Sequence, residues 1–477
     1  LSMQFVFAQE KTVSGTVTDQ AGAVPGVNVI IAGTKKGTQT GFDGKYSIKA
    51  KQGDVLVFSF IGLETTRITV GTSNTLNVMM KEEAAQKLAE VVVEGYGKTS
   101  TKAKSLGASQ TVSAKTIEGR PNVNVLQSLQ GQLAGANIAL ASGQPGSNKI
   151  DVIIRGVGTL NASSEPLYVI DGVPLTQSFF RNLNQNDIET VSVLKDASAT
   201  SIYGNRGANG VIVITTKKGD FNSDLSFNLS SSYGISEFRG DKYNLVDAKT
   251  HLRLQKLRGD GPGFDGTGAG VVVDPNNIDA YSINTDWKDI FFRTGTTSSQ
   301  DLSITSGSAN VKNFTSFGYF QQDGIIPTSD FKRFTLRSNL SGKSSNDRVT
   351  YGLNLTAVYS KRNQLEQETR AGINNNVLQN PLTGYLNSAR YFSPSTYVNG
   401  RQLFNDFGSP SSEIVPFMLL DLYGKNNAPS FFDEYKTIIS GNFGYKITND
   451  LTYRVSAGFE YVEDKTVFAM GPEDYLS

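Results

Sequence analysis

Leu225-Ser-Phe-Asn-Leu-Ser-Ser-Ser-Tyr-Gly-Ile235 sets large apolar side chains at its odd positions, Ser231 apart, and small polar residues or glycine between them. The same period of two returns in Val349-Thr-Tyr-Gly-Leu-Asn-Leu-Thr-Ala-Val-Tyr359 and in Leu451-Thr-Tyr-Arg-Val-Ser-Ala-Gly-Phe-Glu-Tyr461. Successive side chains on a strand point to opposite faces, so each stretch specifies a strand with one apolar and one polar face. Working outward, seven such strands are expected near 225–237, 299–307, 311–323, 331–341, 348–361, 435–448 and 451–464. About 9–11 residues cross a bilayer at a tilt, and these lengths suffice. The connections at 308–310, 342–347 and 449–450 are short. Those at 239–298 and 362–434 are long, and 324–330 is intermediate. Short turns at one end and long loops at the other are the arrangement of outer-membrane barrels. The three quoted strands carry no Lys or Arg on the presumed outer face, where one at mid-membrane would cost about 2–4 kcal/mol. Tyr233, Tyr359, Tyr445 and Tyr461 lie near strand ends, where aromatic girdles belong. A soluble sandwich with one wet face also alternates, but it gives no reason for long loops at alternate connections.

Composition agrees with a chain of many short strands. It has 48 Gly, 27 Phe, 19 Tyr and 1 Trp among 477 residues, a length that implies several domains. Lys and Arg total 45 against 44 Asp and Glu, which gives no footing for a nucleic-acid partner. Cysteine is absent and His251 is the single histidine, so disulfides and thiolate metal sites are excluded. A His-based triad has one candidate, and His251 reads as an ordinary polar side chain. No metal, cofactor or catalytic residue is expected. No run of eighteen apolar residues offers a membrane helix, so a membrane role requires a barrel.

Upstream, residues 9–82 read as a small β-sandwich, with strands at Thr12–Thr18, Gly26–Ile31, Lys45–Ala50, Val55–Phe60, Thr66–Val70 and Thr75–Met80. Phe42-Asp43-Gly44-Lys45 carries the Asp-Gly hairpin signal. Before it, residues 1–8 end in Val6-Phe-Ala8 and read as the remnant of a signal peptide. Residues 83–104 read as a polar linker that encloses Leu88-Ala-Glu-Val91-Val92-Val93-Glu94-Gly95-Tyr96-Gly97. The β-branched run wants to be a strand, available for pairing with a partner; Lys98–Lys104 is polar again. Residues 105–219 read as a mixed α/β unit. Asn124 caps a helix bearing Leu126, Leu129 and Leu133, and strands follow at 151–155, 167–171, 191–194 and 210–215, with a short helix over Ala197–Tyr203.

Three long motifs in this unit carry a family resemblance. They are Ile154-Arg155-Gly156-Val-Gly-Thr-Leu-Asn161, Pro166-Leu-Tyr-Val-Ile-Asp171-Gly172-Val-Pro174, and the run from Asp187 through Lys195-Asp196-Ala-Ser-Ala-Thr-Ser-Ile-Tyr203-Gly204-Asn-Arg206-Gly207 to Lys217. They resemble the plug signatures of SusC/RagA-type TonB-linked outer-membrane proteins, and residues 11–80 resemble the carboxypeptidase-regulatory-like domain, which implies an immunoglobulin-like β-sandwich there. The resemblance implies a mainly β architecture: N-terminal sandwich, TonB box over Val91–Tyr96, plug domain at 105–219, and the first strands of an antiparallel transmembrane barrel at 220–477. Glu94 stands where relatives often have an uncharged residue. Plugged transporters close with about 22 strands, so seven read as part of a longer wall.

The implied activity is import of a glycan or peptide nutrient across the bacterial outer membrane, with sandwich and plug on the periplasmic side. TonB, with ExbB–ExbD, would pull on the box strand, and a SusD-like lipoprotein would act as a lid. Arg155, Asp171, Lys195, Asp196 and Arg206 could carry an allosteric relay through charge pairs, but are expected instead to tether the plug to the wall or to cap turns; buried charges need partners either way. No substrate-binding residue can be named. Tyr281, Trp287, Phe291 and Phe292 could stack on sugars, but aromatics in loops more often pack. Other readings are a single-component receptor for a metal chelate, a non-transporting adhesin, and a glycan hydrolase, for which no carboxylate motif speaks.

Overall fold

The computed structural model describes residues 10–19, 22–34, 36–60, 63–80, 91–95, 98–101, 109–117, 124–140, 143–147, 150–158, 163–240, 242–268, 270–364, 381–407, 414–423, 430–469 and 471–472. The expected signal-peptide remnant, residues 1–8, lies outside them. The chain divides into two compact units, one of residues 1–91 with 101–104 and one of 92–100 with 105–477.

The first unit is a β-sandwich. Strands β1 (Lys11–Thr18), β4 (Lys45–Ala50) and β7 (Val78–Met79) form one sheet in the order β4-β1-β7. Strands β2 (Asn28–Ile31), β3 (Gly37–Gln39), β5 (Val55–Phe60) and β6 (Leu63–Thr69) form the other in the order β3-β2-β5-β6. Alternate residues of both, Val13, Val17, Val29, Ile31, Leu56 and Phe58 among them, fill the core between the sheets. The Asp43-Gly44 turn differs from expectation. It joins β3 of one sheet to β4 of the other, so it is a crossing between layers, not a hairpin within one. Gly44, at φ +70°, allows the turn to press against the Val17 carbonyl, where a Cβ would lie 2.7 Å from the oxygen.

Strands β8 (Val91–Gly95) and β9 (Lys98–Thr101), largely of the second unit, pair in a two-stranded sheet. The stretch after the β-branched run is thus a strand over part of its length, where its polar composition suggests linker. Thr99 and Thr101 are residues that strands accept.

A mixed five-stranded sheet follows, built from β10 (Ser109–Ser113), β13 (Leu167–Ile170), β14 (Val173–Leu175), β15 (Ile188–Leu194) and β16 (Val211–Thr216) in the order β10-β15-β16-β13-β14. Strands β11 (Ala136–Leu140) and β12 (Ile150–Ile154) pair separately as an antiparallel ribbon. Helices α1 (Ala114–Ile117), α2 (Val125–Leu129), α3 (Gln177–Arg181) and α4 (Ala197–Thr200) complete the unit. Asn124 accepts from the Leu126 N–H at 2.8 Å, as its capping role requires. The helix it caps ends at Leu129; Leu133 is buried beyond it. The expected helix at 197–203 is α4 followed by a 3-10 stretch, with its break at Gly204, whose φ of 59° no helix holds.

The seven alternating strands are present: β17 (Ser226–Ser236), then β20 (Gly295–Gly307), β21 (Val311–Asp323), β22 (Asp330–Lys343), β23 (Val349–Asn363), β24 (Ser430–Lys446) and β25 (Thr452–Phe468). They form one antiparallel sheet in chain order, each strand bonded to the next in sequence. Leu225, Phe227, Leu229, Phe334, Leu353, Ile439, Phe443, Val455 and Phe459 are all exposed, Leu229 at 73%. A continuous apolar sheet face of this size has no stable place in water and suits a bilayer. The opposite face is buried under the α/β unit and is polar: Arg333, Arg337, Asn339, Asn354, Thr356, Glu434 and Lys436.

The two long connections are not irregular loops. The first carries α5 (Ala248–Arg258), α6 (Pro262–Asp265), the small ribbon of β18 (Thr267–Gly268) and β19 (Val271–Val272), and α7 (Trp287–Phe291). The second carries α8 (Pro381–Asn387), α9 (Gly400–Phe407) and α10 (Val415–Leu422). They share one core, in which Leu252, Trp287 and Phe291 of the first meet Tyr391, Phe392, Phe417 and Leu419 of the second. Trp287 Nε1 donates to the Ala389 carbonyl at 3.0 Å, and the Thr285 amide to the Arg390 carbonyl at 2.8 Å. The aromatics considered for sugar stacking are thus packing residues: Trp287, Phe291 and Phe292 are buried and Tyr281 is packed against them. His251 meets the edge of Tyr391, with ring centroids 5.1 Å apart, and burial with Arg258 nearby pushes its pKa down.

Candidate functional site

The site is the boundary between the α/β plug and the polar face of the sheet. It begins at an Asp-Gly turn. Asp171 (φ 48°) and Gly172 (φ 88°) form the two-residue loop between β13 and β14, where both positions need positive φ. The turn brings the Asp171 carboxylate over β16, where it accepts from the Thr216 amide at 3.0 Å and the Thr216 hydroxyl at 2.7 Å. It also pairs with Arg337 of β22, whose side chain is 2% exposed. Arg337 donates to Thr216 Oγ1 at 2.6 Å and to Thr356 Oγ1 at 2.9 Å, and Asn339 Nδ2 donates to the Lys217 carbonyl at 2.7 Å. Plug and wall thus share one desolvated network.

Two further contacts flank it. Asn184 and Asn186 both donate to Asp301 of β20, the second at 2.7 Å. Burial pushes the nearby Asp187 carboxyl above its ordinary range, against the pull of Arg337 and a hydrogen bond from Ser316. On the other side, Asn182 Nδ2 donates to Glu434 of β24 at 2.6 Å, and Lys436 donates to Glu434 at 2.7 Å and to the Ser178 carbonyl at 2.8 Å. Arg362 donates to the Gly146 carbonyl at 2.5 Å. Buried charges of this kind are tolerated because each has a partner.

Close approach at Asn184 depends on Gly318 of β21. A Cβ there would lie 2.4 Å from Thr335 Oγ1, 2.6 Å from Asn184 Nδ2 and 2.8 Å from Asp301 Oδ1. Gly318→Val is expected to displace the 182–187 segment from the wall at a cost of about 1–3 kcal/mol, as overpacking does. Hydrogen exchange at those amides should quicken while that of the sandwich stays unchanged. Unaltered exchange at 182–187 would refute the role given to Gly318.

The other motif residues stay within the plug. Arg155, at φ 61°, pairs with Asp196, and Gly156 follows at φ 107°. Lys195 donates to the Ala134 carbonyl and, at 3.3 Å, to Gln110 of the edge strand β10. Burial and Arg155 push its ammonium pKa down. Tyr203 is buried, Gly204 takes the positive φ that breaks the helix, and Arg206 is exposed. Gly207 lies against Thr200, where a Cβ would stand 3.0 Å from the carbonyl oxygen. Of the five charged residues expected to tether the plug to the wall or to cap turns, Asp171 is the one for which the structure gives a wall partner. The wall's own half, Asp301, Arg337, Glu434 and Lys436, was missed. Its signal was available: charges in mid-strand at the polar parity, where water alone would not need them. Of the expected box residues, Val91, Val92, Val93, Glu94 and Gly95 form β8, and Tyr96 lies outside the described residues. Among the described residues, no group of three or more His, Cys, Asp or Glu could hold a metal ion.

Comparison with known proteins places two family matches on the chain. Residues 101–211 match the TonB-dependent Receptor Plug Domain and residues 13–93 the CarboxypepD_reg-like domain. TonB-dependent receptor P26 of Formosa agariphila is 34% identical over 461 residues, covering 93% of this chain and 43% of the relative. TonB-dependent receptor SusC of Bacteroides thetaiotaomicron is 32% identical over 486 residues, covering 98% and 46%. The chain therefore spans less than half the length of these curated relatives. Among solved structures, the RagAB peptide importer in the open-open state superposes with a TM-score of 0.64 at 28% identity, over 79% of this chain and 43% of that one. The closed-closed state gives a TM-score of 0.62 over 77% and 42%.

Proposed function

The chain belongs to the SusC/RagA type of TonB-dependent receptors, and we propose that it supplies the plug and part of the wall of an energised nutrient importer in the bacterial outer membrane. One observation carries the reading: a plug held by buried charge pairs, Asp171 with Arg337 and Arg181 with Glu434, to the polar face of a sheet whose other face is apolar and exposed. Such a plug blocks the lumen at rest, because leaving the wall exposes Arg337, Glu434 and Lys436 without partners.

Upstream of the plug lies β8. Among the described residues each strand of this two-stranded sheet has one edge without a strand neighbour, so a TonB strand can add to β8 or replace β9, with backbone hydrogen bonds carrying the load. The load reaches β10 first, the edge strand of the plug sheet, which Lys195 clasps through Gln110. On this reading the long-loop end is extracellular and the sandwich and plug are periplasmic. ExbB–ExbD would energise TonB from the inner membrane. The cargo is a glycan or a peptide, and a SusD-like lipoprotein covers the loops. The solved RagAB importer is described as carrying peptides, which supports an oligomeric cargo over a metal chelate.

The test is to extract the full-length protein in mild detergent and identify what co-purifies by mass spectrometry. A lipoprotein in stoichiometric amount is expected. Recovery of the receptor alone, under conditions that preserve other outer-membrane complexes, would favour a single-component receptor for a metal chelate.

A further inference from the structure

The exposed apolar face of the sheet carries a groove of about 620 Å³. We infer that it holds one acyl chain of a phosphorylated outer-leaflet lipid whose phosphate sits on Lys332 and Lys361. The inference rests on the membrane reading above and adds a specific ligand to it.

Strand register sets out the site row by row. Tyr319, Phe334, Tyr359 and Tyr435 are successive cross-strand partners on β21, β22, β23 and β24. Their rings run as a ladder, with centroids 4.7, 6.4 and 4.6 Å apart. A second aromatic level, Tyr445 paired with Tyr453, lies at the short-turn end. Tyr435 and Tyr445 are ten residues apart on β24. That is about 34 Å along the strand, or about 26 Å of height at a tilt near 40°, the span of an apolar belt between its girdles. The ladder therefore marks the bilayer edge on the long-loop side.

Just inside that edge, the next outward row runs Leu336, Ala357 and Thr437, with Ala357 the cross-strand partner of both the others. Two small side chains under Tyr359 and Tyr435 leave a notch, and Leu229, Leu336, Ala357, Tyr359, Tyr435 and Thr437 are among the residues that line the groove. Its walls are apolar, its depth is below the girdle, and it opens to the bilayer, so its occupant is a hydrocarbon chain.

Just outside the edge, two residues or about 7 Å along the strands, Lys332 of β22 stands directly opposite Lys361 of β23. Like charges in facing positions repel. Asp433, next in the row, lies 3.9 Å from Lys361 and faces Lys465 on its other side. The row thus carries three ammonium groups and one carboxylate. Glu463 stands one row inward beside Lys465, and its carboxylate accepts from Tyr461. In the row farther out, Asp323 accepts from Thr296 and Asp330 from Asn363, so both carboxylates are engaged. A phosphate between Lys332 and Lys361 removes their repulsion and meets two cationic donors at headgroup level. The same lipid then has its chain over Ala357.

The experiment uses the full-length receptor extracted from outer membranes, with native mass spectrometry and phosphate analysis of the bound lipid. Wild type should retain a phosphorylated, acylated lipid on each barrel. Lys332→Gln with Lys361→Gln should lower its retention about tenfold, and Ala357→Phe, which fills the notch and spares both lysines, should do the same. Lys312→Gln, at the short-turn end, should leave it unchanged. The inference falls if both groove and lysine variants keep wild-type lipid, if Lys312→Gln loses as much, or if only inorganic phosphate is recovered. A receptor absent from the outer-membrane fraction and without heat-modifiable migration would instead overturn the membrane reading itself.

Discussion

Replacing Val92 and Val93 with proline is expected to abolish ligand uptake while surface binding of the ligand persists. Strand addition draws its strength from main-chain hydrogen bonds, and proline has no N–H to give. The amides of neighbouring strand residues face opposite edges, so whichever edge TonB takes, one bond of about 0.5–1.5 kcal/mol is lost, and with proline's poor fit within a sheet the pairing weakens by about 10-fold or more. The other amide faces the β9 edge, within the same small sheet. Val92 and Val93 lie in β8, well before the first plug strand at Ser109. Whole cells with labelled ligand separate the outcomes, since adsorption reports binding and accumulation reports import. Undiminished accumulation would remove the box from the mechanism. Lost adsorption would mean that the substitution had damaged assembly. An adhesin would show adsorption alone in wild type and variant alike.

Arg337→Met is expected to loosen the plug more than any other single wall substitution. The guanidinium is 2% exposed, pairs with Asp171, and also serves Thr216 and Thr356. Its removal leaves a buried carboxylate without its partner, a change that costs about 3–5 kcal/mol. Pairing Arg337→Met with Asp171→Asn should recover most of that loss, because Asn tolerates the positive φ of the turn and carries no charge. The coupling in a double-mutant cycle should then reach about 3 kcal/mol or more, the upper end of what contacting residues show. Planar-bilayer conductance and sensitivity to bulky antibiotics report plug leakage. If Arg337→Met is as tight as wild type, the network does not seat the plug.

Much of the wall was legible because its cause is local. A period of two over eleven residues identifies a strand and its faces without knowledge of any partner. The odd-position apolar side chains of Leu225–Ile235, Val349–Tyr359 and Leu451–Tyr461 do lie on the outward face, whereas Val358, at an even position, is buried on the other. Asn124 was legible as a cap for the same reason. What escaped depends on residues far apart in sequence. Nothing near Asp171 announces Arg337, 166 positions away. Strands as short as Val173–Leu175 have too few residues to show a period. Lys98–Thr101 looks like linker until β8 supplies its hydrogen bonds. Trp287 and Phe291 look free to bind sugar until the second long loop folds over them.

That shared core makes the two loops a single hereditary unit. Residues 237–294 and 364–429 are separated by four wall strands, yet neither can bury Trp287 or Phe417 without the other. A duplicated receptor acquiring a new cargo cannot exchange one of them freely; a foreign first loop would meet a second that no longer fits. Chimeras that swap the pair should fold, whereas those that swap either alone should misassemble. Diversification at this end of the barrel is then expected to proceed by matched pairs, or by change on the module's outer surface with its interior held constant.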